Sequence, residues 1–275
     1  MANLKSRASE VLTRLGEPLG LKPLLLAGSP DAALLRTMEG LRELPWDRLP
    51  ENLDLAPLVD HTLLRADAGR MEIERLCAEA LEFGFASVCV NPCWVPVAVR
   101  VLRGSPVRVC TVVGFPLGAN TRSAKAFEAQ AALQAGALEV DMVLALGSLK
   151  SEDWDSVSED LHAVRQAVPH PAVLKVILET CLLTETEIQK ACALAVEAGL
   201  DFVKTSTGFS TGGATEQAVA LMRATVGDSV GVKASGGIRT RTQALAMVRA
   251  GATRLGLSAS LAVVRGDVSH ASGAY

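Results

Sequence analysis

The chain has 275 residues, 49% of them apolar and 21% charged, with 27 lysines and arginines against 30 acidic residues and a net charge of −3. This mix excludes a disordered chain or a coiled coil, and the basic surplus typical of a nucleic-acid binder is missing. No apolar run approaches the ~18 residues of a membrane span and no polybasic stretch marks a membrane surface, so the expected partners are small molecules.

Six cysteines stand at 77, 89, 93, 110, 181 and 192, without a C-x-x-C pair and with only four histidines as co-ligands. No metal site is expected, and most of these thiols lie inside apolar runs, which points to a reducing, cytoplasmic compartment. A secretory leader is not expected, because the apolar stretch 23–27 is broken at once by Gly28, Ser29, Pro30 and Asp31.

Residues 1–56 read as a helical extension. Ser29 is placed to cap a helix with Pro30 at its first position, and Leu34, Leu35, Met38, Leu41 and Leu44 form an apolar stripe that Pro45 and Pro50 end. That stripe must bury against the rest of the chain or against a second copy, so a homodimer is one of two expectations.

From residue 57 short β-rich runs alternate with helical periodicity. The predicted strands are 57–62, 85–90, 107–113, 138–144, 172–178, 201–205, 230–234 and 253–257. Capping boxes at Thr184-Glu185-Thr186-Glu187 and Thr240-Arg241-Thr242-Gln243 start two of the helices between them. The pairs Ala135-Gly136, Ala198-Gly199 and Ala250-Gly251 stop three others. Evenly repeated βα units over 57–264, in a chain close to the roughly 250 residues of such folds, predict a (β/α)8 TIM barrel rather than an open doubly wound sheet. Residues 265–275, with Gly266, Ser269, Ser272 and Gly273, read as a mobile tail that ends in the chain's only tyrosine, Tyr275.

A barrel of this kind does its chemistry at the C-terminal strand ends. The polar residues there are Asp60, Cys89, Asn91, Asp141, Lys175, Glu179, Lys204 and Lys233. Lysines inside apolar strands need partners. Lys175 has two candidates, Asp141 and Glu179, and either would make it a filler of the barrel.

Lys204 and Lys233 sit alike on neighbouring strands, as V-K-T and V-K-A. Two ammonium groups about 4 Å apart repel by roughly 4 kcal/mol, enough to move one amine from a pKa of ~10.4 towards neutrality. A neutral amine attacks a carbonyl to form a Schiff base, the second lysine remains a proton donor, and Asp141 orients it or passes protons. The residues alone do not say which lysine is which.

The loops add a second signal. Thr207 and Gly208 follow the sixth strand, Gly236-Gly237 the seventh and Ser258 the eighth. The last two are the loops that commonly hold phosphate in barrels.

DHTLL at 60–64, ASVCVNP at 86–92, CTVVGFPLG at 110–118, EVDMV at 139–143, LKVILET at 174–180, DFVKTSTGFSTGGAT at 201–215 and GVKASGGIRT at 231–240 together resemble the deoxyribose-phosphate aldolase family. The resemblance covers about 55–262. It implies a class I aldolase, without metal or other cofactor, that reversibly cleaves 2-deoxyribose 5-phosphate to acetaldehyde and glyceraldehyde 3-phosphate. By the same resemblance Lys204 carries the Schiff base, Lys233 is the second lysine and Asp141 the proton relay. From their places at the strand ends and in the loops, Asp60, Cys89, Thr207, Gly208, Gly236, Gly237 and Ser258 are expected to face the substrate, with Cys89 at the mouth of its strand, beside the aldehyde. Some members end in a tyrosine that folds over the strand ends, the role Tyr275 would take.

The chain departs from the family pattern after the eighth strand. Ser258 is followed by Ala259 where a second hydroxyl is common, so one phosphate contact falls to Ser260 or is missing. His61 alternates with Asp60 and Thr62 and is expected to face away from the barrel axis. Two other readings remain: a Schiff-base aldolase acting on a different phosphorylated sugar, and a barrel that binds a sugar phosphate without turnover.

Overall fold

The computed structural model describes residues 52–266. The helix predicted from Ser29 and the tail ending in Tyr275 lie outside the described residues. Eight parallel strands run in chain order: β1 (Val59–Leu63), β2 (Ser87–Val90), β3 (Arg108–Val113), β4 (Glu139–Val143), β5 (Val173–Ile177), β6 (Phe202–Lys204), β7 (Gly231–Ser235) and β8 (Arg254–Leu257). They close into a barrel, with β8 pairing back on β1 so that Asp60 stands beside Gly256. Six of the eight predicted runs contain their strand; β1 and β7 each extend one residue past theirs, to Leu63 and Ser235.

Helices α1 (Arg70–Phe83), α2 (Val95–Val101), α3 (Arg122–Gln134), α4 (Leu146–Lys150), α5 (Trp154–Ala167), α6 (Glu185–Glu197), α7 (Glu216–Val226), α8 (Arg241–Arg249) and α9 (Ser260–Arg265) wrap the outside. Both predicted capping boxes form: Thr184 accepts from the Glu187 N–H at the head of α6, and Thr240 from the Gln243 N–H at the head of α8. The sequence reading had not picked out three further caps, Thr121 on α3, Asp153 on α5 and Thr215 on α7. Gly136, Gly199 and Gly251 take the left-handed conformation that ends their helices.

Alternation along the strands divides the barrel in two. In β4, Val140 and Met142 face the helices while Glu139 and Asp141 face the axis; in β5, Leu174 and Val176 face out while Lys175 faces in. The main apolar core is therefore the shell between strands and helices, built from residues such as Val88, Val140, Leu174, Val203, Val232 and Leu255 with Ile73, Leu161, Met222 and Val248 of the helices. Fully burying one such side chain contributes about 1.5–3 kcal/mol. The interior carries charge. The expected boundary at residue 57 is slightly late, because Leu53, Leu55 and Ala56 are already part of this core.

Candidate active site

The charged interior begins with direct cross-strand partners. Lys204 stands opposite Lys233, and Asp141 opposite Lys175. Both lysine amines of the first pair reach the same oxygen: Asp141 Oδ2 lies 2.8 Å from Lys204 Nζ and 2.7 Å from Lys233 Nζ. Asp141 Oδ1 accepts from Lys175 Nζ at 2.8 Å.

Below this trio lies a network that the sequence reading had only begun. Lys175 pairs with Glu139 at 2.6 Å as well as with Asp141, and Glu179, its other candidate partner, is not among its contacts. Arg254 Nη1 bridges Asp60 at 2.5 Å and Glu139 at 3.0 Å. Lys233 touches Asp60 Oδ2 at 2.5 Å, and the Ser87 hydroxyl donates to Asp60 Oδ1 at 2.7 Å. Asp60 is thus fully buried and engaged by cations: it holds Lys233 from beneath instead of standing open to a ligand.

Room for this packing is built into β8. A Cβ at Gly256 would lie 3.0 Å from Lys233 Cε and 2.9 Å from Ser235 Cβ. Glu139 and Arg254 could have been found by asking, as for the lysines, why charges stand inside apolar strands; their register could not.

Electrostatics follow from this geometry. Burial opposes charge on Asp60, Glu139 and Asp141, but the surrounding cations outweigh it and hold all three carboxyls below the ordinary range. Burial likewise opposes charge on Lys175, Lys233 and Arg254, and the carboxylates outweigh it, keeping these three protonated.

Potential metal ligands converge here, with Cys89, Cys110 and Asp141, and Asp60, Cys110 and Glu139, within 4.8 Å of one another. Each carboxylate in these groups is already held by the chain's own lysines or arginine.

Cys89 is not at the rim. It is the third residue of β2, fully buried opposite Cys110 of β3, in an apolar wall with Leu64, Val112 and Phe115. That wall continues to the mouth, where Phe115 meets the exposed Phe209 edge to face at 5.3 Å.

The opposite side of the mouth is made of loops. Glu179, in a left-handed conformation directly after β5, is buried and accepts hydrogen bonds from the N–H and, at short range, the hydroxyl of Thr207. The Phe209 N–H donates to the same hydroxyl oxygen at 3.1 Å. The loops after β6 and β7 touch backbone to backbone: Ala214 N–H donates to Gly236 O at 3.0 Å, and a Cβ at Gly213 would lie 2.3 Å from that oxygen. Gly208, Gly236 and Gly237 all have positive φ, and Gly236 sits against Gly208 and Ser206. The Ser206 hydroxyl, which the sequence reading passed over, is buried there without a hydrogen-bond partner.

Ser258 is exposed at the end of β8. Ser260 does not supply the missing hydroxyl: it is buried, donating to Leu257 O at 3.0 Å and meeting His61 Nδ1 at 2.9 Å. His61 faces outward as expected, with Nε2 at 2.8 Å from Glu79. Asn91 is a tie, its amide donating to Leu64 O at 3.1 Å. Among the described residues no helix is long and apolar enough to cross a membrane.

Comparison with known proteins agrees with this arrangement. Residues 55–265 match the DeoC/LacD family aldolases. The chain is 58% identical over 215 residues to a deoxyribose-phosphate aldolase of Clostridium perfringens, covering 78% of this chain and 96% of that one. It is 55% identical over 219 residues to one of Geobacillus, covering 80% and 98%. A solved deoxyribose phosphate aldolase from Aeropyrum pernix, described as tetrameric, superposes with a TM-score of 0.72 at 32% identity, over 87% of this chain and 97% of that one. A barrel whose charged centre lies on its strands, matched along nearly its whole length by such proteins, places this chain in the DeoC/LacD aldolase family, and it is an aldolase enzyme.

Proposed function

We propose that the enzyme reversibly cleaves 2-deoxyribose 5-phosphate to acetaldehyde and glyceraldehyde 3-phosphate through a Schiff base on Lys204, in the breakdown of deoxyribose phosphate. The observation that carries this reading is the sharing of one Asp141 oxygen by the amines of Lys204 and Lys233.

Charge balance separates the two lysines. On the inward-facing strand positions four buried cations, Lys175, Lys204, Lys233 and Arg254, meet three buried carboxylates, Asp60, Glu139 and Asp141. Arg108 adds a further positive charge 3.8 Å from Glu139, at the partly exposed edge. An uncompensated buried charge is costly. Arginine does not give up its proton. Lys175 and Lys233 are each held by more than one carboxylate, whereas Lys204 has a share of one oxygen, so Lys204 is the amine to attack.

The amine adds to the C1 aldehyde of the open-chain sugar, and loss of water gives the iminium. Removal of the C3 hydroxyl proton breaks the C2–C3 bond, whose electron pair passes to the iminium, leaving an enamine and releasing glyceraldehyde 3-phosphate. Protonation at carbon and hydrolysis release acetaldehyde and restore the amine. Asp141 and Lys233 move these protons. The wall of Cys89, Val112 and Phe115 suits the two-carbon fragment. Backbone N–H groups around Gly208, Gly236 and Gly237, with Ser258 and the free Ser206 hydroxyl, suit the phosphate end. The partners are thus a phosphorylated sugar and aldehydes, and the free cysteines fit a cytoplasmic setting.

Borohydride reduction in the presence of acetaldehyde, followed by peptide mass spectrometry, is expected to place a two-carbon adduct on Lys204, and the protein is expected to cleave 2-deoxyribose 5-phosphate. An adduct confined to Lys233 would reverse the two roles, and trapping without cleavage of this sugar would point to another phosphorylated substrate.

A further inference from the structure

We propose that Cys89 and Cys110 are a modification site: a dithiol at the wall of the active site that a hydroperoxide converts to a disulfide between β2 and β3, switching the enzyme off until a thiol reduces it.

The geometry comes from the strand register. Cys89 and Cys110 are direct partners on adjacent parallel strands, and both sulfurs face the barrel axis. Neighbouring strands lie about 4.7–4.9 Å apart, inside the 4.4–6.8 Å window of Cα separations that a disulfide spans. The two sulfurs lie within 4.8 Å of each other and of an Asp141 oxygen.

Their surroundings divide the labour. The neighbouring Cys110 thiol favours the Cys89 thiolate; burial opposes this, and the nearby Lys233 and Lys204 favour it. Burial, the neighbouring Cys89 and Asp141 push the Cys110 thiol up, and its S–H donates to Asp141 Oδ1 at 3.2 Å. A thiolate-prone sulfur beside a protonated one is the arrangement of an attacking and a resolving cysteine.

The other four thiols differ. Burial pushes Cys77 and Cys192 up to about 12, away from the site, and Cys93 and Cys181 are exposed on loops. A route to the pair follows from the reaction itself, since an aldehyde must reach Lys204, which is only 3% exposed, and hydrogen peroxide is smaller than acetaldehyde.

The chemistry balances. The Cys89 thiolate attacks the peroxide oxygen, the O–O bond breaks, and the products are Cys89 sulfenic acid and hydroxide. The Cys110 thiol then displaces the sulfenic hydroxyl; the S–S bond forms and water leaves, with the thiol proton going to that hydroxyl. The dithiol has lost two electrons and the peroxide has gained them. Asp141 thereby loses its thiol donor, and the wall of the aldehyde pocket changes shape.

The test treats the folded, full-length enzyme with hydrogen peroxide, blocks remaining thiols before unfolding, and maps the peptides. The expected result is a loss of about 2 Da, for the two hydrogens removed, in a peptide pair joining Cys89 to Cys110. Turnover should fall several-fold and return with dithiothreitol. In Cys110→Ala the link should vanish, with Cys89 carrying added oxygen as a sulfenic or higher acid instead. A link through Cys93 or Cys181, no link in the folded parent enzyme, or a link that persists in Cys110→Ala would overturn the proposal. The mass readout needs no substrate, so its failure is distinct from failure of the assigned reaction.

Discussion

At the scale of single residues, Lys233 and Asp141 make the sharpest predictions. Lys233→Leu removes the cation that shares the Asp141 oxygen with Lys204 and the proton donor beside it. Turnover should fall about a hundredfold or more; near-normal activity at neutral pH would refute the role given to Lys233. Asp141→Asn should keep the fold, by circular dichroism, yet lose most turnover, because an amide does not relay a proton. Glu139→Gln acts through stability. It leaves Lys175 and Arg254 each short of a carboxylate, and breaking a buried pair in this way costs about 3–5 kcal/mol, readable by chemical denaturation. A variant as stable as the parent would mean that the lower network carries little. The lysines and Asp141 were legible in the sequence because each is a charge in an apolar strand. Glu139 and Arg254 obey the same logic. Which oxygen each cation meets was not legible, since a shift of one register position changes the partner of every residue.

At the scale of elements, strand positions and helix starts were readable because their signals are local: alternation, a capping residue, a glycine stop. Thr184→Ala removes the cap of α6 and should cost about 1 kcal/mol, which lowers the melting temperature by about 2–4 °C in a domain of this size without loss of the borohydride adduct. No change in melting would show that the box is solvated equally well without the hydroxyl. Gly256→Ala tests β8. Its new Cβ would crowd Lys233 at 3.0 Å, so turnover should drop while the barrel remains closed. Unchanged kinetics would mean that the lysine side chain can yield. Such tight approaches are invisible in sequence, where a strand glycine signals only that something passes close. The placement of Cys89 belongs here too: a residue near the end of a strand reads as rim, but the loop from Gly114 onward and Phe115 continue the wall above it.

For the whole molecule, the ionised interior makes a prediction about acid. The folded values of Asp60, Glu139 and Asp141 lie below those of the unfolded chain, so their contribution is present above the ordinary carboxylate range. It is lost as pH falls, when the unfolded state takes up protons that the folded state refuses. The melting temperature should therefore decline from about pH 5 downward, with proton uptake on unfolding; a flat profile would contradict the network. The residues named at the charged centre all lie between Asp60 and Arg254, so removal of the segment 1–50 should lower stability or change the association state while leaving turnover within a few-fold. An inactive but folded truncation would show that it completes the site.

The division of the barrel into charged strands and glycine-bearing loops has a further consequence. On the proposed reaction, the groups that would make and break bonds are held by main-chain ladders and by each other, whereas those that would meet the incoming aldehyde stand on connections such as those around Phe209, Gly236 and Ser258. Reaction and recognition are thereby written on separate parts of the chain. Variation at Phe209 or around Ala259 can retune which acceptor is welcomed while the bond-forming apparatus stays intact, which makes those rim positions the natural targets for redirecting this catalyst to new carbonyl compounds.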